Sequence, residues 1–148
     1  MRYGLLGEKL SHSFSAEIHK SLGGYDYELI EVEKKDLKSF LKKKDFSAIN
    51  VTIPYKQDVI PYLYYISDTA KAIGAVNTVV NKDGKLYGYN TDFLGMRALI
   101  LKNDIDLNGK KVLIGNQGFS CQKSSFPGRR KGVLQKIKEN HTGYPAEL

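Results

Sequence analysis

The stretch AVNTVVNKDGKLYGYNTD, residues 75–92, decides how the chain is read. Two extended runs, 75–80 and 86–89, flank Asn81-Lys82-Asp83-Gly84-Lys85. Asp-Gly between such runs signals a hairpin, because these residues tolerate the positive φ angles of a tight turn. An antiparallel hairpin within a chain of alternating strands and helices implies a mixed sheet.

Working outward, residues 2–6 read as a short buried strand closed by Gly7. GEKLSHSFS, residues 7–15, is a polar loop. Ser15 is expected to cap a helix over 16–22, which Gly23-Gly24 stops. Residues 27–32 read as a second strand. Leu37, Phe40 and Leu41 at helical spacing place a helix over 35–44. Residues 46–53 form a third strand, ended by Pro54, which cannot donate to a ladder. Helices are expected over 57–66, 68–73 and 92–103, and a last strand over 112–114. The fold class is α/β: a mixed, mostly parallel sheet with helices on both faces.

Composition narrows the function classes. A chain of 148 residues, 41% hydrophobic and 26% charged, is long enough to bury a core without staples. Cys121 is the single cysteine, which excludes an internal disulfide and a cysteine zinc site and suits a reducing compartment. MRYGLLGEKLSHS has no signal-peptide layout, and no apolar run approaches the ~18 residues of a membrane helix. A cytoplasmic protein without membrane contact is expected. His12 and His19 lie seven residues apart with no carboxylate–histidine cluster, so no metal is expected.

The net charge is +7, unevenly spread. Residues 1–115 hold 17 Lys/Arg against 14 Asp/Glu, whereas residues 116–148 hold 6 against 2. Interleaved signs before residue 116 describe a solvated surface. The run Arg129-Arg130-Lys131 opens a nucleic-acid reading of the tail, but isolated charge in a polar segment is preferred. Tyr62, Tyr64 and Tyr65 are expected to pack on the sheet from a helix rather than to stack on bases.

In open α/β sheets, ligands sit beyond the carboxyl ends of the strands. Ser11, His12, Ser13 and Ser15 follow the first strand. Asn50, Thr52 and Lys56 surround the end of the third, in NVTIPYK. Asn77 precedes the hairpin, and Asn90, Thr91 and Asp92 follow it. Hydroxyls and amides both donate and accept, which suits a small polyhydroxylated ligand. A lysine held by a carboxylate can move a proton.

HSFSAEIH, NVTIPYK, GAVNTVV and GYNTDFLGM, in this order, resemble the N-terminal substrate-binding domain of the shikimate dehydrogenase family. The resemblance covers about residues 3–115. It implies NADPH-dependent, reversible reduction of 3-dehydroshikimate to shikimate, in aromatic amino-acid biosynthesis. It also implies that Ser13 and Ser15 bind the substrate carboxylate, and that Asn50, Thr52, Asn77, Thr91 and Asp92 hold the ring hydroxyls. Lys56 would transfer the proton, with Asp92 as its partner. Ala16 stands where the family usually has proline, which removes no ligand group.

The second departure lies in KKVLIGNQGFSCQK, residues 110–123. Gly115 and Gly118 are a degenerate remnant of a glycine-rich NADP loop, with Gln117 at the position where backbone must approach the pyrophosphate. The expected organisation is a shikimate-binding domain over 1–103, a linker and first cofactor-domain strand over 104–115, and an aberrant basic tail over 116–148. No complete Rossmann domain is expected, and the composition break at Asn116 is read as a frameshift or premature truncation. The chain alone is therefore expected to bind no NADP and to be inactive. Self-association through an uncovered face is the expected alternative contact.

Overall fold

The structure is a computed structural model that describes residues 2–106. The strand expected over 112–114, Gly115, Gly118 and the tail over 116–148 lie outside the described residues. The described residues fall into two units, the first ending at Phe93 and the second beginning at Leu94.

The first unit carries β1 (Tyr3–Gly7), α1 (Ser15–Leu22), β2 (Tyr27–Glu31), α2 (Leu37–Lys43), β3 (Ala48–Val51), a 3₁₀ turn (Ile60–Tyr62), β4 (Tyr65–Ile66), α3 (Asp68–Ile73), β5 (Thr78–Lys82) and β6 (Lys85–Tyr89). A further helix, α4 (Thr91–Lys102), starts in this unit and continues into the second. The strands form one sheet in the order β2-β1-β3-β5-β6-β4. β1 pairs in parallel with β2 and β3, and β4 pairs in parallel with β6. β5 runs antiparallel to both β3 and β6. The mixed, mostly parallel sheet read from the sequence is the one observed.

The hairpin is as the sequence dictates. Asp83 and Gly84 have φ of 51° and 75°, the left-handed values a two-residue turn requires. Asn81 accepts from the Gly84 N–H at 3.0 Å and donates to the Lys44 and Phe46 carbonyls at 2.9 and 3.0 Å. One side chain thus closes the turn and ties it to the end of α2.

Strand alternation separates the two sheet faces. Leu6, Ile30, Ile49, Val51, Val79 and Leu86 form one face and pack with Leu37 and Leu41 of α2, Ala70 of α3, and Tyr55 and Val59. Tyr3, Tyr27, Ala48, Asn50 and Thr78 belong to the other face by register. α1 lies on that side, where His19 stacks on Tyr27 with ring centroids 3.8 Å apart. Helices therefore occupy both faces.

Two expectations are corrected. Residues 57–66 do not form a helix. Pro61 has no N–H for an α-helical bond, so the segment makes a single 3₁₀ turn with bonds such as Tyr62 N–H to the Val59 carbonyl at 3.0 Å. The chain then extends, and Tyr64 and Ser67 donate to the Leu86 and Gly88 carbonyls, creating the edge strand β4. Tyr64 and Tyr65 are accordingly exposed, each with its ring centroid 5.8 Å from that of Tyr87. Ser15 is not the cap of α1 either. Phe14 holds the cap position without a side-chain bond, and Ser15 is the first helical residue. Its N–H is satisfied by Ser13 Oγ at 3.2 Å.

Glycine at position 4 is required by the β1–β2 spacing. An added β-carbon would lie 2.6 Å from the Glu28 carbonyl oxygen and 2.8 Å from Ile30 Cδ1. Gly4→Ala is expected to lower stability by about 1–3 kcal/mol through overpacking against backbone. Gly24→Ala, whose β-carbon meets nothing within 4 Å, should stay within about 0.5 kcal/mol of the parent. Urea unfolding of both variants measures the difference.

Candidate functional site

The polar residues at the strand ends fall into three linked clusters. The first lies in the β1–α1 loop. Ser13 Oγ donates to Ser15 Oγ at 3.1 Å. Both serines line an open groove with Ser11, His12, Thr52 and Pro54. Thr52 is held there because its N–H donates to the Leu6 carbonyl at 2.9 Å, which ties the end of β3 to the end of β1.

The second cluster is a hydrogen-bonded chain across β3, β5 and the start of α4. The register places Asn50 opposite Thr78. Asn50 Nδ2 donates to Thr78 Oγ1 at 3.3 Å and faces the Asn77 carbonyl at 3.5 Å. Thr78 Oγ1 donates to Asn77 Oδ1 at 3.0 Å. Asn77 Oδ1 also receives the Thr91 N–H at 2.9 Å, and Asn77 Nδ2 donates to Thr91 Oγ1 at 2.9 Å. Asn77 is buried, so these bonds answer its desolvation.

The third cluster is the ion pair. Lys56 Nζ lies 2.6 Å from Asp92 Oδ2. Lys56 is fixed from behind by its own backbone, whose carbonyl accepts the Val76 N–H at 2.8 Å. Asp92 sits in the first turn of α4, where a carboxylate meets the positive helix end. Thr91 and Asp92 are consecutive, so the second and third clusters share one turn of chain.

The structure separates Asn90 from these groups. Asn90 is buried, donates to the Ala75 carbonyl at 3.0 Å and accepts the Phe93 N–H at 3.1 Å. That is an N-cap of α4, and both ends of the amide are used. Sequence reasoning missed Thr78 and Tyr27. Thr78 follows Asn77 in the motif already singled out and could have been found by strand pairing. Tyr27 donates to Asn50 Oδ1 at 2.7 Å, and no sequence signal couples positions 23 residues apart.

Among the described residues, no three His, Cys, Asp or Glu side chains come together as a metal site. His12 lines the serine groove, whereas His19 stacks on Tyr27. Gly115 and Gly118, the expected remnant of a cofactor loop, lie outside the described residues. Gly7 ends β1, and the place of its missing β-carbon is filled by Leu10 and Thr52 at 2.6 and 3.0 Å. No helix among the described residues is long and apolar enough to cross a membrane.

A mixed α/β sheet whose strand ends gather hydroxyls, amides and one lysine–aspartate pair defines a domain for binding a small polar ligand. Residues 5–79 match the family described as the shikimate dehydrogenase substrate binding domain, and the chain belongs to that family. It is 48% identical over 127 residues to a shikimate dehydrogenase (NADP(+)) of Clostridium beijerinckii, an alignment covering 78% of this chain and 46% of the relative. The corresponding enzyme of Halothermothrix orenii is 46% identical over 149 residues, covering 94% and 51%. A shikimate 5-dehydrogenase from Thermus thermophilus, solved in complex with shikimate, superposes with a TM-score of 0.67 at 34% identity, covering 74% of this chain and 45% of that one. The chain thus spans about half the length of the curated relatives it matches.

Two outcomes test this geometry. Asn77→Ala strips the Thr91 N–H of its acceptor, and the Thr91 amide should exchange with solvent roughly ten-fold faster. Hydrogen exchange followed by NMR reads this directly. The Tyr27 phenol is pushed up to about 12, first by burial and then by the neighbouring Tyr25. Its folded value lies above the unfolded 10.0, so its contribution to stability is complete below pH 10 and is lost as pH rises through about 12. Tyr27→Phe should therefore lose less stability than the parent across that window, as followed by urea unfolding.

Proposed function

We propose that this chain binds shikimate and 3-dehydroshikimate, and that Lys56 and Asp92 perform the proton transfer of the NADPH-dependent interconversion of the two. The 2.6 Å Lys56–Asp92 pair beside the Thr91–Asn77 network carries this reading. Its side chains are 32% and 59% exposed, and pairs this open contribute little to stability. The fold gains little by keeping them together, whereas proton transfer requires it.

Reducing a ring ketone needs a hydride on carbon and a proton on oxygen. NADPH supplies the hydride when bound in the family. The Lys56 ammonium gives the proton to the developing alkoxide and recovers it in the reverse direction, while Asp92 orients it. Asn50, Thr52, Asn77, Thr91 and Asp92 hold the ring hydroxyls. Ser13 and Ser15 take the substrate carboxylate, through hydroxyls that line the same groove as Thr52. The shikimate complex of the Thermus relative supports the substrate class.

Residues 1–103 are then the substrate-binding domain of a cytoplasmic enzyme of aromatic amino-acid biosynthesis. In the sequence, Gln117 stands between Gly115 and Gly118 where backbone would approach the pyrophosphate, and on that ground the isolated chain is expected to hold substrate without turning it over. Phe14, Ile18 and Leu22, spaced four apart on and beside α1, are 70%, 54% and 76% exposed. This stripe supports self-association through an uncovered face.

An amide titration by NMR, with shikimate and then NADP, tests the reading. Shikimate should shift resonances around Ser13, Thr52, Lys56 and Asp92, and NADP should shift none of them. Lys56→Met should leave the carboxylate end of the footprint and weaken binding. A folded spectrum unmoved by shikimate refutes the binding assignment. Shikimate-dependent NADP reduction by the purified chain refutes the inactivity.

A further inference from the structure

Tyr27 belongs to none of the three clusters, yet it touches the one that links the others. Its ring is stacked on His19, nearly parallel at 5°. His19 Nδ1 is in turn 2.6 Å from the Tyr25 hydroxyl. The ring is therefore clamped between α1 and the sheet. Its hydroxyl reaches Asn50 Oδ1 at 2.7 Å, shorter than either bond on the Nδ2 side of that amide.

The direction of that bond is forced. A backbone N–H can only donate, so the Asn77 end facing the Thr91 N–H is oxygen. A backbone carbonyl can only accept, so the Asn50 end facing the Asn77 carbonyl is Nδ2. Asn50 Oδ1 is then the end that meets Tyr27, and the phenol must donate. The two bonds on the Nδ2 side are long, 3.3 and 3.5 Å, and hold the amide weakly. The short bond from Tyr27 is the stronger restraint.

We infer that Tyr27 is a positioning residue of the substrate site: its hydroxyl locks the Asn50 amide in the one orientation that turns Nδ2 toward Thr78 and the ring-binding network. The inference rests on the proposed function only for its consequence, shikimate affinity. The lock itself is a property of the ligand-free chain. Burial favours the protonated phenol that the lock requires.

Tyr27→Phe keeps the ring and its stack on His19 and removes only the donor. In the ligand-free chain, the Asn50 side-chain amide pair should shift and broaden as the amide begins to flip. Loss of one such bond should also weaken shikimate binding roughly five-fold, while the chain stays folded with its thermal midpoint lowered by a few degrees. Unmoved Asn50 side-chain signals in a folded Tyr27→Phe chain overturn the inference, whatever the affinity. If the parent binds no shikimate, the functional reading fails, and the Asn50 signals still decide the lock. Should the variant not fold, the parent decides it: Asn50 Hδ2 protons with NOEs to Thr78 support the lock, and strong NOEs to the Tyr27 ring protons overturn it.

Discussion

The antiparallel pairing of β3 with β5 is the contact on which the site depends. On one side of it lies the parallel half of the sheet, which supplies the serine loop, Thr52 and Lys56. On the other lies the hairpin, which supplies Asn77, Thr91 and Asp92. The pairing places Asn50 opposite Thr78, and the Val51 N–H donates to the Asn77 carbonyl at 2.8 Å. A slip of one residue would turn Asn50 to the core face and bring Ile49 out. Ile49 and Val79 are 2% and 0% exposed and share the core cluster. Burial of these two apolar side chains thus fixes the register that assembles the polar network on the opposite face.

Much of this is legible in the sequence because it is local. Asp83-Gly84 announces its turn through φ angles that few other pairs adopt. α3 is bounded by Ser67, whose side chain accepts from the Ala70 N–H, and by Gly74 at φ 73°; both are cap residues by type. The segment over 57–66 misleads because its apolar spacing suggests a helix that Pro61 forbids. The resulting edge strand exists through bonds to Leu86 and Gly88, more than twenty residues away, and no local pattern records them. Asn90 misleads for the related reason that capping and ligand binding ask for the same amide.

The serine, threonine and asparagine positions emerge from the sequence as a set, but their division of labour does not. Sequence offers residue types at strand ends; only register shows that Asn50 and Asn77 communicate through Thr78. The same holds for Tyr27, which lies on the sheet's outer pairing, two strands from Asn50. Its partnership follows from β2 and β3 flanking β1, so that Tyr27 and Ala48 both align with Tyr3.

The bonding pattern also limits what the site can recognise. Asn77 Oδ1 accepts from the Thr91 N–H, from Thr78 Oγ1 and, at 3.1 Å, from Thr91 Oγ1. No lone pair remains for a ligand. Asn77 can therefore meet a ligand only as a donor, through its second Nδ2 hydrogen. Lys56 is likewise a donor, and Asp92, when ionised, only an acceptor. A group placed between Asn77 and Asp92 must accept from one and donate to the other. A hydroxyl does both; an ether or a ketone oxygen can accept but cannot donate. Under the proposed function, a ring position opposite Lys56 would differ, because an ammonium serves a carbonyl and a hydroxyl oxygen alike. Fixed donors and acceptors at the one place, and a lysine at the other, are what the proposed binding of a polyol and its mono-ketone would require.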